Sequence, residues 1–543
     1  MLFNSYEFLF AFLPVTFVVF LLLGRSSRNL ALGWLIVASL VFYAWWRPIN
    51  APIISISLAV NFTLARLMQR LGAGGQQSRW RTPVLLLGIA FNIAFLGYFK
   101  YTNFLLSVYT DLSGRQFVLQ HVILPLGISF ITFQKIAFLI DVHSGRIESF
   151  TLRDYLLFVL FFPQLIAGPI VHYREMMPQF HSNPCRFDRE ALAVGLTMVC
   201  FGLVKKVVLA DRMALYVTPI FNQAAAGDAV SLLPAWVAAI GFTLQLYFDF
   251  SGYSDMAAGL ARCFGVRLPV NFYSPLQASS IIEFWTRWHI TLTRFLTAYL
   301  YNPLLLWLTR RRFAKGLPGI GGRQRLTVGA FMQLLAGPTL LTMLISGLWH
   351  GAGYLFIIWG LMHGVYLTIN HAWRMTGAKL WSDKERYARF MRPIGFALTF
   401  FVVVVSMVIF RAPTVHAAMD IFKGMFGGHG FELPQVIADK LSVLGVPRRY
   451  LPVRPGMNGT DLVSEYARLL MLLAIALIMP NTIQIMARWQ PVLDARDRPA
   501  NTGLLPRWFV WNPTVIWAGA MSLLAVWAIM RVGGPSEFLY WQF

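Results

Sequence analysis

The chain has 543 residues, of which 57% are hydrophobic and only 13% charged, whereas soluble domains carry about a quarter charged residues. That balance excludes a water-soluble body of this length and makes the lipid bilayer the expected solvent. The net charge of +23 is spread in short clusters between apolar runs, as at Arg25 and Arg28 and again at Arg66, Arg70, Arg79 and Arg81. This is the pattern of cytoplasm-facing loops, not the dense patch of a nucleic-acid binder.

A bilayer core takes about 20 apolar residues as helix. Runs of this kind fall at 8–24, 30–46, 51–68, 83–99, 120–142, 153–171, 190–210, 232–250, 327–349, 351–373, 394–411, 465–481 and 511–532. They predict an all-α polytopic transmembrane bundle of about 11–13 membrane helices, some of them re-entrant or interfacial. The first run has no basic leader and no clean small-residue cleavage site, so it reads as a retained helix. Arg25 and Arg28 follow it, which places the N-terminus on the periplasmic side and the first loop inside. The stretch 281–308 mixes aromatic residues, basic residues and Thr, and reads as membrane-embedded. The longest polar interruption, 412–463, holds Gly427, Gly428, Gly430, Pro434, Pro447, Pro452 and Pro455. It reads as an extramembrane or interfacial loop within one membrane domain spanning 1–543.

Ionisable groups inside apolar runs are costly and mark either function or networks that tie helices together. In Tyr247–Asp255, Asp249 and Tyr253 are four apart and share a helical face; both readings are open to them. The segment Phe284-Trp285-Thr286-Arg287-Trp288-His289 combines two Trp, one Arg and one His. Taken alone, it fits an interfacial belt with a structural His. His350 lies in Ser346-Gly347-Leu348-Trp349-His350-Gly351-Ala352-Gly353 between two long apolar runs. Its glycines permit close backbone approach or a helix break, and an imidazole there is a candidate base near neutral pH. His363 follows thirteen residues later. On an unbroken helix it would lie about 20 Å away and about 140° round, so it reads as structural. His121, His143, His172, His181, His416 and His429 fall near loops or run ends. Cys185, Cys200 and Cys263 form no C-x-x-C pair, so no disulfide framework or metal site is expected. The chain has no H-E-x-x-H, G-x-S-x-G or P-loop motif, which argues against a zincin, an α/β-hydrolase and a P-loop ATPase.

Taken in order, eight landmarks resemble the bacterial branch of the membrane-bound O-acyltransferase (MBOAT) family. They are Met1–Ser5, Leu124–Phe130, Phe162–Ile170, Lys205-Lys206 with Ala210-Asp211-Arg212, Tyr247–Asp255, Phe284–His289, Ser346–Gly351 and Phe538–Phe543. The chain is most similar to the membrane subunit of alginate O-acetylation systems, with the teichoic-acid D-alanine transfer protein as a cousin. The resemblance covers nearly the whole chain. It departs after Tyr301, where Asn302-Pro303-Leu304-Leu305-Leu306 and the basic Arg310-Arg311-Arg312 replace the family's usual Ile-Pro-Leu-Gly-Gly, and at Thr286, where relatives often carry Arg or Asn.

The resemblance implies an O-acetyltransferase of the bacterial inner membrane. In the family, two histidines line a channel that the acyl donor enters from the cytoplasm; they map onto His289 and His350. His350 is then the expected general base. His289 is expected to orient the thioester or stabilise the oxyanion. Arg287 and Trp288 are candidates to hold the donor, with Trp285, Trp349, Asp249 and Tyr253 as further substrate contacts; Asp249 and Asp255 also fit as helix braces. Acetyl-CoA is the implied donor, with no bound cofactor. A periplasmic or membrane-anchored acetyltransferase and polysaccharide export machinery are the implied partners. Rival readings are acylation of a lipid, teichoic-acid-like or protein acceptor, a transporter or flippase, and a non-catalytic scaffold.

Overall fold

The structure is a computed structural model that describes residues 1–72, 78–115, 122, 124–183, 185–319, 327–377, 381–432, 435–447, 459–493, 509–534 and 539. Among the described residues it is all-α. Eight helices are long and apolar enough to cross a membrane: α1 Phe8–Ser26, α3 Asn50–Gly72, α4 Arg81–Ser113, α8 Arg189–Ala225, α9 Leu232–Cys263, α13 Val328–His350, α14 Tyr354–Thr376 and α15 Lys384–Arg411. Shorter apolar helices α2 Arg28–Ala44 and α18 Val515–Ile529 accompany them. Between these lie α5 Ile128–His143, α6 Leu152–Leu160, α7 Tyr173–Ser182, α10 Ile281–Trp285, α11 Ile290–Leu296, α12 Asn302–Phe313, α16 Val415–Met425 and α17 Gly459–Ile478. The chain is therefore a multi-pass membrane protein.

Helix α9 is the central post, buried along almost its whole length. It lies against α8 at glycine contacts. A Cβ added at Gly202 would come within 2.5 Å of Gly252 O, so only backbone fits there, as is usual where membrane helices approach closely. Charges cross the same seam. Lys206 Nζ sits 2.5 Å from Asp249 and Lys205 Nζ 2.6 Å from Asp255 across it, while Asp211 on the same helix lies 2.8 Å from Lys206.

Three predicted runs take other forms. The run 153–171 is not one helix. Helix α6 ends at Leu160, Phe161 turns out of helical geometry (φ −48°, ψ 109°), and Pro163 opens the single turn Phe162–Leu165. Gly168 and Pro169 then carry the chain on without helix into the core, as proline's fixed φ and missing N–H dictate. In the run 120–142, the helix begins only at Ile128, after Gly127 at φ +67°; residues 116–121, with His121, and residue 123 lie outside the described residues. The stretch 281–308 is broken into α10, α11, a wide turn at Thr297–Tyr301 and α12.

Within 412–463, α16 buries Ala417, Ile421 and Met425, and Gln435–Val443 is helical. Residues 433–434 and 448–458 are outside the description, as are Gly-rich residues 320–322 and the closing landmark except Leu539.

Candidate active site

His350 is the last residue of α13, and the chain reverses at once. Gly351 is extended (φ −159°, ψ 153°) and α14 starts at Tyr354. The two helices then pack back to back through glycines. A Cβ on Gly360 would lie 2.4 Å from Met343 O, and one on Gly347 would lie 2.2 Å from Phe356 O. This hairpin corrects the distance expected for His363. Because the helix breaks, His363 returns beside His350: Trp359 touches both, with ring centroids 5.1 Å from His350 and 4.6 Å from His363. The surroundings of His363 now bear on its structural reading. Its Nδ1 accepts from Trp285 Nε1 (3.3 Å) and its Nε2 meets Ser406 Oγ (3.0 Å), so both ring nitrogens are engaged.

His289 enters from a different part of the chain. It joins α10 to α11 with a left-handed backbone (φ 42°, ψ 51°). Such a conformation in a residue with a Cβ is costly and is found mainly at functional sites. Its ring is wholly buried and lies 6.3 Å, centroid to centroid, from that of His350. Trp349 stands beside both, 5.8 Å from His289 and 4.9 Å from His350.

The tautomer of His289 follows from its neighbours. Thr291 donates its hydroxyl to Asn271 Oδ1 (2.8 Å), and Asn271 Nδ2 donates to Ser254 Oγ (3.0 Å). The Asn271 oxygen is therefore an acceptor, and His289 Nδ1–H donates to it (3.1 Å). The neutral ring then presents an unprotonated Nε2. That atom and Trp349 Nε1 are buried without a hydrogen-bond partner among the described residues. Leaving such groups unpaired costs about 1–3 kcal/mol each, so a ligand that pairs with them is held in place.

The remaining predicted residues divide into two sets. Trp285 and Trp349 belong to the aromatic cluster around the histidines. Trp288 stacks on Phe284 (5.6 Å) and meets Phe272 edge-on (5.1 Å). Arg287 is bound to Glu283 (2.5 Å). Glu283 also accepts from the Ser279 N–H and hydroxyl (2.8 Å each). Asp249 is tied to Lys206, and Tyr253 stacks on Phe3 at 4.7 Å; their neighbour Phe250 lies edge-on to His289 at 4.8 Å. Sequence reasoning missed Asn271, Thr291 and Lys100, whose Nζ donates to the carbonyls of Trp349 and His350. Lys100 carried one readable signal, a cation inside an apolar helix.

The landmarks converge on this site. Ile170 N donates to Thr291 Oγ1 (3.0 Å), Phe130 lies against Trp349 (5.0 Å) and His289 (6.2 Å), and Gly127 abuts the Leu165 and Ile166 carbonyls. The sequence model of the family described as MBOAT, membrane-bound O-acyltransferase, matches residues 97–316. The chain is 38% identical over 463 residues to a peptidoglycan O-acetyltransferase of Helicobacter pylori, covering 80% of this chain and 81% of the relative. It belongs to the membrane-bound O-acyltransferase family. A probable alginate O-acetylase AlgI of Pseudomonas aeruginosa is also 38% identical, over 453 residues, covering 82% of this chain and 79% of that protein. A teichoic acid D-alanyltransferase of Streptococcus thermophilus is 27% identical over 315 residues, covering 56% and 72%. The protein is thus an acyltransferase, and the family's substrate is an acyl donor.

Proposed function

We propose that this protein passes an acetyl group from a cytoplasmic thioester, acetyl-CoA, across the bacterial inner membrane for O-acetylation of an exported polysaccharide of the alginate or cellulose kind. The N-terminus is periplasmic. A periplasmic or membrane-anchored acetyltransferase and the polysaccharide export machinery take over the product, and no bound cofactor takes part. The observation that carries this reading is the pair of buried imidazoles with ring centroids 6.3 Å apart, one of them held at αL with Nε2 lacking a hydrogen-bond partner among the described residues. Two relatives at 38% identity are named for acetylating cell-envelope or exported glycans, which supports the donor and acceptor classes.

In this mechanism, His350 takes the proton from the acceptor hydroxyl as its oxygen attacks the thioester carbonyl carbon. The carbon–sulfur bond then breaks, and the departing thiolate receives that proton. Such general-base assistance is worth about 10²–10⁴-fold. His289 has a narrower part. With its proton on Nδ1, its Nε2 accepts a hydrogen bond, so the neutral ring orients the acceptor hydroxyl or a donor N–H; oxyanion stabilisation would require a second proton on the ring. Trp349, whose ring lies beside both histidines, adds an Nε1–H donor without a partner among the described residues.

Acetyl-ester content of the exopolysaccharide and of the peptidoglycan, measured with wild type and His350→Ala at equal membrane levels, tests the proposal. Loss of ester from the exopolysaccharide alone supports it. Loss from peptidoglycan alone moves the acceptor to the cell wall, and full retention in both removes His350 from catalysis.

A further inference from the structure

Helix α13 ends inside the membrane body, and the last four carbonyls of any helix lack partners within it. In lipid such groups must be satisfied by protein. The usual solution is a left-handed glycine cap, but Gly351 is extended, so that cap does not form here. The carbonyls are met instead from a helix some 250 positions away in sequence. Tyr101 Oη–H donates to Leu348 O (2.5 Å), and Lys100 Nζ donates to Trp349 O (2.5 Å) and His350 O (3.1 Å). Lys100 and Tyr101 are consecutive. They reach the same helix end because Gly97–Tyr101 is wound as a wide π-turn within α4, a local feature often found at functional sites. A helix C-terminus also carries partial negative charge, which favours an ammonium group there.

The same helix grips the far side of the break. Tyr354, the first residue of α14, donates to Asp111 Oδ2 (3.2 Å) and packs edge-on against Phe104 (5.3 Å). Both ends of Gly351-Ala352-Gly353 are thus fixed to α4. We propose that Lys100 and Tyr101 are positioning residues for the reaction: they hold the carbonyl end of α13 and thereby set the place of the His350 imidazole against His289. This inference rests on the assignment of His350 as the base. It makes α4 a part of the catalytic apparatus that contributes no reacting group.

The experiment uses the full chain in detergent for hydrogen–deuterium exchange of the 345–355 backbone, and in cells for acetyl-ester content at equal membrane levels. Lys100→Met is expected to raise exchange across this stretch and to lower ester formation about 10–100-fold, the scale of a misplacement near 1 Å. Lys100→Arg restores most of both, because it keeps a cationic donor. Added to His350→Ala, Lys100→Met lowers ester formation no further, since the two act through one group. Unchanged exchange in Lys100→Met overturns the clamp. Raised exchange with undiminished ester formation overturns its role in catalysis. If His350→Ala itself leaves ester formation intact, the proposed function fails, while the exchange result still decides the clamp.

Discussion

At the scale of single residues, Asn271 decides what His289 can do. Its oxygen accepts from Thr291 and from His289, while its amide donates to Ser254. Asn271→Leu removes the partner that keeps the proton on Nδ1 and is expected to lower ester formation about 10–100-fold with the protein still folded. Asn271→Asp, which still accepts from Nδ1–H, retains more activity than Leu; equal loss in both variants would show that the tautomer is immaterial. The Lys206–Asp249 pair makes a contrasting prediction, for stability. Both side chains are almost wholly buried. Lys206→Met leaves Asp249 and Asp211 short of their shared cation and is expected to cost about 3–5 kcal/mol. Adding Asp249→Asn should recover part of that, read as thermal unfolding in detergent. His350 stood out by itself as an imidazole between two long apolar runs, whereas His289 taken alone read as structural and was singled out only by the resemblance to the family. Asn271 was not legible. Flanked by Val270 and Phe272 in the connection between α9 and α10, it carries no local signal, and its importance arises only when that connection meets Ser254 of α9 and the turn at His289–Thr291.

At the scale of elements, the long apolar runs were readable because lipid imposes a length and a composition on every crossing. The breaks were not readable to the same degree. A run broken at Phe161 is nearly as apolar as a continuous one, and Pro163, which a membrane helix can tolerate, did not by itself mark the break that the dihedrals show. The break after His350 was flagged by its glycines, but the consequence was missed: the hairpin carries His363 back to the site. That hairpin depends on small residues at its crossing. Gly360→Ala places a Cβ 2.4 Å from Met343 O, backbone that cannot rotate away. The expected cost is about 1–3 kcal/mol, with reduced folded yield in detergent and reduced ester formation. Gly33→Ala in α2 is the matched control: nothing lies within 4 Å of its added Cβ, so stability should hold or rise slightly. If the two alanines behave alike, close packing of α13 on α14 is not what shapes the site.

At the scale of the whole molecule, a set of the basic residues behind the net charge of +23 shares one face. Arg28 donates to His181 O, Arg153 to Asn29, and Arg81 to Val142 O (3.2 Å) and His143 O (3.1 Å), while Arg146 pairs with Asp141 (3.1 Å) and Arg294 with Glu175. The starts of α2, α4 and α6, the end of α5 and the helix α7 therefore share that face. The opposite face holds Tyr6, which donates to Val532 O (2.8 Å), and the turn before α9, where Leu232 N donates to Gly430 O (3.0 Å). The proposed direction of transfer puts the first face in the cytoplasm, in keeping with the positive-inside rule, and has the proposed coenzyme A thioester approach from that side. The three native cysteines are buried, so single added cysteines report cleanly. With a membrane-impermeant maleimide on outer-membrane-permeabilised cells, Asp228→Cys, in an exposed turn just before α9, is expected to label at once. Arg79→Cys, exposed before α4 on the basic face, is expected to label only after lysis. The reverse pattern would place the basic face outside, leaving a cytoplasmic donor without its entrance and overturning the proposed direction of transfer while leaving membership of the family untouched.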